Sequence, residues 1–238
     1  MLLRPEHVDG AACAFTTRAG GVSTGPYAAL NLGDHVGDEQ AAVVENRRRV
    51  AAAAGVDDLV LARQVHGADV VEVTGPWAAG EPPYADALVT RTPGLAVGTL
   101  VADCTPVVLL APDDGVVGVA HAGRKGMQAG VALALVRAMR DLGATRLVGR
   151  VGPSVCPRCY AVPLALREQV AADVPESRSI DRRGGPSLDV AGGVLAQLAP
   201  HCDDLAQVPG CSAEDPALFS YRRDGVTGRY AGLAWLPA

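Results

Sequence analysis

The segment ADCTPVVLLAPDDGVVGVAHAG, Ala102 to Gly123, consists of two Val-rich apolar runs on either side of Pro112-Asp113-Asp114-Gly115. Proline, aspartate and glycine in that order form a turn signal, so the segment predicts a β-hairpin. If Ala111 pairs with Val116, paired residue numbers sum to 227 and Cys104 comes to lie opposite Gly123. His121 is then the diagonal neighbour of Cys104 on the same face, at roughly 5–8 Å between Cβ atoms. A turn one residue longer or shorter would place the two on opposite faces. Outward from the hairpin, Arg63-Gln64-Val65-His66-Gly67 brings a second histidine. Cys/His/His suits zinc with a fourth position left for water or substrate. A plainer reading stays open here, because a buried cysteine is commonly a small hydrophobe and a lone histidine commonly hydrogen-bonded and inert. Asp103, next to Cys104, weighs against it, since a carboxylate is hard to bury without a partner.

The 238-residue chain has room for a substantial core in one large domain or two small ones. Hydrophobic residues make up 49% but aromatics only 4%, so the core must be built from Ala, Val and Leu. A formal net charge of −5 argues against general nucleic-acid binding. It does not exclude a small anionic substrate, for which a few local arginines suffice. Six cysteines are too few to staple a chain of this size. The N-terminal segment lacks a signal-peptide core, and no apolar run approaches the roughly 20 residues of a membrane span. Reduced thiols in a cytoplasmic setting are the expectation, with no membrane partner.

Along the chain, AACAFTTR reads as a strand followed by a Gly/Ser/Pro-rich loop, and residues 38 to 54 as a helix capped by Asp38. LVLARQVHGADVVEVTG reads as two strands joined near His66, and Gly75 to Tyr84 as a loop. Gly126 to Gly143 reads as one helix stopped by Gly143. PLALREQVAADV and SLDVAGGVLAQLAPH predict two more helices, the second capped by Ser187 or Asp189, and the tail predicts a hairpin around Arg223-Asp224-Gly225. Several hairpins and no steady βαβ rhythm favour an α+β fold with mixed sheets.

Several ordered blocks carry a resemblance: FTTRAGGVSTGPYAALNLG, ENR at Glu45 to Arg47, QVHG, ADAL at Ala85 to Leu88, the hairpin itself, GPSVCPRCYAV at Gly152 to Val162, and FSYRRDGVTGR at Phe219 to Arg229. Together they make the chain similar to the laccase-domain family, long described as multicopper polyphenol oxidases and associated with purine nucleoside phosphorylase activity. The resemblance covers nearly the whole length and implies a single domain over residues 1–238. The fold it implies is a mixed-sheet α/β sandwich similar to the cysteine-hydrolase fold of cytotoxic necrotizing factor domains. It further implies that His66, Cys104 and His121 bind a metal, Zn²⁺ ahead of Cu²⁺. The implied reactions are phosphorolysis of adenosine, inosine, guanosine and 5′-methylthioadenosine, and deamination of adenosine. Where the family reads HAGWRG this chain has His121-Ala122-Gly123-Arg124-Lys125-Gly126, which changes a wall of the pocket and not the ligands.

Around that metal, Asp103 is the proposed proton-handling carboxylate, with Cys104 and His121 as its catalytic companions; its alternative role is to hydrogen-bond backbone or a ligand histidine. For phosphate, Arg18 beside Gly20-Gly21 is the leading candidate, followed by Asn46 and Arg47, with Tyr221 and Arg222 closing the pocket from the tail. Arg47, Arg48 and Arg49 also suit a solvated helix face. Cys156-Pro-Arg-Cys159 reads as incidental, since only Cys159-Tyr160 sits on the family pattern and Cys202 and Cys211 do not repeat the spacing of a zinc ribbon; no second metal is expected. Alternatives are a copper-dependent phenol oxidase, which five histidines in all serve poorly, and a metal-free cysteine hydrolase using Cys104. The expected partners are small molecules, purine nucleosides and phosphate, for a monomer or weak homodimer.

Overall fold

The computed structural model describes residues 1–77 and 82–238. The first half carries β1 (Leu2–Val8), β2 (Ala11–Thr16), α1 (Gln40–Ala54), β3 (Asp58–Leu61), β4 (Val70–Val73), β5 (Ala87–Thr90), β6 (Leu95–Val101), β7 (Thr105–Ala111) and β8 (Val116–Ala122). The second carries α2 (Arg124–Ala129), α3 (Val131–Asp141), β9 (Val148–Val151), α4 (Leu164–Asp173), β10 (Arg178–Ile180), β11 (Pro186–Leu188), α5 (Val190–Leu198), β12 (Asp204–Gln207), α6 (Tyr221–Asp224) and β13 (Tyr230–Trp235). Strands pair in the orders β1-β2-β13-β6-β3 and β12-β9-β7-β8-β5-β4, each sheet mixing parallel and antiparallel neighbours, with β10-β11 as a small ribbon. The α+β class with mixed sheets is what the irregular strand and helix order implies.

Two sheets stack with helices outside both, and the reason lies in the apolar runs. Strands β6, β7 and β8 are buried along their whole length, as strands covered on two faces must be. Along β7, Val108 and Leu110 face the other sheet with Phe15, Val97 and Val119, whereas Val107 and Leu109 face the helices with Leu135, Met139 and Val194. Alternation thus supplies two cores from one strand. Helix α3 lays Val131, Leu135 and Met139 on β8, where Gly118 leaves room: a Cβ there would lie 2.7 Å from Leu135 Cδ1. Burying each such large side chain contributes about 1.5–3 kcal/mol. On the far side, Val50 and Ala51 of α1 cover Ala14, Ala96 and Leu233. Arg150, buried on β9, links the sheets through Glu6 at 2.6 Å and also meets Asp204 at 2.7 Å.

The hairpin closes with Ala111 opposite Val116 and Pro106 opposite His121, the register that the turn residues specify. Three other expectations need correction. Gly126 to Gly143 is two helices, because Gly130 adopts φ 76°, ending α2 with its N–H on Gly126 and Met127 and opening α3. Asp38 does not cap α1: its carboxylate accepts from Ser23 Oγ, Asn31 Nδ2 and the Glu39 N–H, bracing the preceding loop. The tail is no hairpin. Ser220 caps the short α6 by accepting from the Arg223 N–H, and β13 then enters the five-stranded sheet between β2 and β6. The strands flanking His66 belong to different sheets, so the Gln64–Gly67 segment crosses the mouth of the sandwich. Asp189, not Ser187, caps α5 through the Gly192 N–H. Part of the loop expected over Gly75 to Tyr84 lies outside the described residues.

Candidate active site and metal centre

At the open end of the hairpin, His66, Cys104 and His121 offer ligand atoms within 4.8 Å of one another. Cys104 Sγ lies 3.9 Å from His66 Nε2, and the two imidazole rings meet edge-on at 4.7 Å between centroids. Sheet register brings Cys104 and His121 together. His66 is delivered by a strained bend, since its φ of 63° lies in the left-handed region that non-glycine residues rarely adopt.

The buried carboxylate of Asp86 stabilises that bend. Its Oδ2 accepts from the N–H of Val65 at 3.1 Å and of Gly67 at 2.7 Å; its Oδ1 accepts from the His66 N–H at 2.9 Å and from His121 Nδ1 at 2.9 Å. One carboxylate therefore fixes the backbone of one histidine and the ring of the other. Burial raises the Asp86 carboxyl, but the hydrogen bonds from His121 and the loop amides outweigh this and hold it below the usual range. Gln64 anchors the same loop by exchanging two hydrogen bonds with the Leu100 backbone. Asp86 and Gln64 lie inside the motifs quoted above, but their roles depend on contacts across strands that spacing does not reveal.

The donor set fits a tetrahedral, borderline-soft ion. Donation of the His121 Nδ1 proton to Asp86 leaves Nε2 of that ring as the available ligand atom. Gly123 keeps the space clear: a Cβ there would stand 2.8 Å from His66 Cδ2 and 3.0 Å from Cys104 Sγ. Burial raises the Cys104 thiol, yet the facing imidazoles overcome this and bring it well below its ordinary 9.0. Burial lowers His121, yet Cys104 and Asp86 overcome that and raise it. These opposite shifts favour a thiolate–imidazolium pair, a ready source of thiolate ligand.

Above the cluster opens a cavity of about 1170 Å³. Among the described residues, Arg47, Arg63, Arg124, Arg222 and Arg229 line it against two acids, Asp34 and Asp103, a cationic lining within an acidic chain. Asp34 already pairs with Arg47 at 3.1 Å. Leu61, Leu100, Val101, Val155 and Val190 give part of the wall an apolar surface. His35 also reaches this wall.

Of the residues singled out from sequence, His66, Cys104, His121, Asp103, Arg47, Tyr221 and Arg222 line the cavity. Arg18 and Asn46 do not. The Arg18 guanidinium donates to the Ala28 carbonyl at 2.7 Å and stacks 4.7 Å over the Phe219 ring. Asn46 is fully buried, accepting from the Val22 N–H and donating to Ser23 Oγ and the carbonyls of Ala29 and Asn31. Both groups shape the Gly-rich loop, whose buried polar atoms need partners. Asp103, at φ 89°, accepts from Ser212 Oγ, Ser220 Oγ and the Arg222 N–H at 2.6–2.7 Å. Its carboxylate is a brace joining the hairpin to the tail, accepting from two hydroxyls and one backbone N–H. Arg222 stacks 4.7 Å over Tyr160. Burial lowers Arg229, and its guanidinium donates to the carbonyls of Thr227 and Gly228. Tyr160 and Arg229 escaped the sequence reading because only the fold carries them to the cavity.

A sandwich of two mixed sheets with a Cys/His/His cluster at its mouth defines a recognisable class. The family profile described as multi-copper polyphenol oxidoreductase laccase matches residues 12–237. The purine nucleoside phosphorylase of Streptomyces coelicolor is 50% identical, with 99% of this chain and 100% of that protein aligned. Escherichia coli purine nucleoside phosphorylase YfiH is 37% identical over 98% of this chain and 96% of its own length. The crystal structure of a Neisseria meningitidis protein of family DUF152 superposes with a TM-score of 0.88 at 31% identity, over 100% of this chain and 99% of that one. The chain belongs to this laccase-like family.

Proposed function

We propose that this protein is a metal-dependent purine nucleoside phosphorylase, using zinc held by His66, Cys104 and His121. The observation that carries the reading is the cationic cavity set directly over a three-ligand cluster; the names of relatives at up to 52% identity along nearly the full chain agree with it. Three ligands leave a coordination place for a reactant, as catalytic zinc sites do and closed structural sites do not. When bound, the ion supplies Lewis acidity at the cavity floor.

The side chains divide the remaining work. Arg47, Arg222 and Arg229 offer guanidinium forks to a phosphate dianion, and the apolar wall receives the purine. A phosphate oxygen then attacks ribose C1′, the C–N glycosidic bond breaks, and its electron pair leaves with the base to give ribose 1-phosphate. Adenosine, inosine, guanosine and 5′-methylthioadenosine share the features this cavity addresses. Deamination of adenosine at the same centre is a second reading, favoured by the likeness of the ligand set to that of zinc nucleobase deaminases.

The test is chromatography of adenosine and inosine incubated with zinc-loaded protein, with and without phosphate. Free base and ribose 1-phosphate that appear only with phosphate support phosphorolysis; inosine formed from adenosine supports deamination. Phosphate-independent release of free ribose, or turnover that survives chelation and needs Cys104 alone, would replace the proposal with hydrolysis. Turnover of phenols by the copper-loaded protein at a comparable rate would replace it with oxidation.

A further inference from the structure

Behind the cavity wall, the fold assembles a second group that the nucleoside chemistry does not use. Cys156, Cys159, Cys211 and Glu214 place four ligand atoms within 4.8 Å of one another. The group is made from two facing turns with the same i, i+3 spacing. In the first, the Cys159 N–H donates to the Cys156 carbonyl at 2.9 Å; in the second, the Glu214 N–H donates to the Cys211 carbonyl at 3.0 Å. An isolated parallel bridge between Ser154 and Cys211 holds the turns together, and the Cys156 N–H points at Cys211 Sγ, 3.3 Å away. C-x-x-C facing C-x-x-E is the ligand pattern of a zinc ribbon with its last thiolate replaced by a carboxylate.

We propose that Cys156, Cys159, Cys211 and Glu214 form a second, structural site for a tetrahedral divalent ion, zinc by the softness of its three sulfur donors. The dimensions suit it: Zn–S bonds of about 2.3 Å give a tetrahedron with edges of roughly 3.7 Å, so closure needs only a small contraction. The charges suit it too. Three thiolates and a carboxylate around a dication leave two negative charges, and two arginines stand ready. Arg182 Nη2 lies 2.7 Å from Cys159 Sγ and 2.5 Å from Glu214, and Arg158 lies 3.5 Å from Glu214. Four protein donors leave no place for a reactant, so the ion acts as a staple. What it staples is the cavity wall: Ser212, beside Cys211, donates to Asp103, and Tyr160, beside Cys159, carries Arg222.

The experiment measures bound zinc by mass spectrometry on the full chain after dialysis, together with the cobalt-loaded absorption spectrum. Wild type is expected to hold two ions per chain, Cys104→Ser one, and Cys211→Ser one. Cobalt-loaded Cys104→Ser is expected to keep intense thiolate-to-metal charge-transfer absorption, which then has no source except the second cluster; this reading stands even if Cys211→Ser fails to fold. One ion in wild type, or loss of all charge-transfer absorption in Cys104→Ser, overturns the proposal. So does a thiol titration in denaturant without reductant that finds four free thiols per chain, since a disulfide would then occupy the cluster.

Discussion

Cys104 and Cys156 belong to clusters of similar size built on opposite plans. Cys104 stands at the end of a hairpin, among groups fixed by sheet register and the Asp86 clamp, and its cluster faces the cavity with three donors. Cys156 stands on a turn in a cluster that draws four donors from loops and is flanked by arginines. The thiols respond accordingly. Facing imidazoles lower Cys104 to about 6, whereas burial and neighbouring sulfur raise Cys156 to about 12. Facing imidazoles favour the thiolate of Cys104, whereas burial and neighbouring sulfur favour the protonated form of Cys156.

The contrast breaks most visibly in turnover. Cys104→Ser or His121→Ala should reduce phosphorolysis by about 10³-fold, the rate equivalent of several kcal/mol of lost electrophilic assistance. Cys211→Ser, if folded, should keep most of the turnover number; an equal loss would erase the distinction. Asp86→Asn should weaken zinc at the cavity by about 10–100-fold, read by competition with a chelator, because the His121 ring and the His66 bend lose their shared anchor. Arg47→Ala should raise the KM for phosphate by about tenfold, the worth of one charge-assisted hydrogen bond. Arg18→Ala should leave that KM unchanged, since its guanidinium is engaged with Ala28 and Phe219.

The smallest effect is on the stability of metal-free protein. The folded Cys104 value of about 6 lies below its ordinary 9.0, and the folded His121 value of about 9 lies above its ordinary 6.5. The lowered thiol contributes stability that is lost as pH falls through about 6, and the raised imidazole contributes stability that is lost as pH rises through about 9. The two slopes have opposite sign and nearly cancel, so the Tm of metal-free wild type should change little between about pH 6.5 and 9. A Tm that rises steadily through this window would show that the thiol titrates alone and that the two groups do not pair.

What could be read from sequence follows a physical divide. The PDDG turn sets the hairpin register because its residues have local conformational preferences, and that register places Cys104 beside His121. The helices at α1, α4 and α5 follow from local pattern as well. Long-range hydrogen bonding was hidden. Ser220 and Asp103 convert the expected tail hairpin into a capped helical turn, and no spacing links residues 117 positions apart. Arg18 looked suited to phosphate because glycines surround it, but those glycines serve the packing of its own loop. Gly21, for example, would place a Cβ 2.2 Å from the Ala29 carbonyl oxygen. Cys211 and Glu214 do not repeat the C-x-x-C spacing, and only the long-range bridge between Ser154 and Cys211 brings them beside Cys156 and Cys159.

The Asp86 clamp constrains how this scaffold can diversify. Since a single carboxylate fixes the ring of His121 on β8 and the backbone of His66 on the loop between the two sheets, neither can be retuned alone, and mutational drift at the floor is penalised twice. New substrate preferences must therefore be acquired at the rim, where side chains such as Arg124 shape the walls without disturbing the foundation.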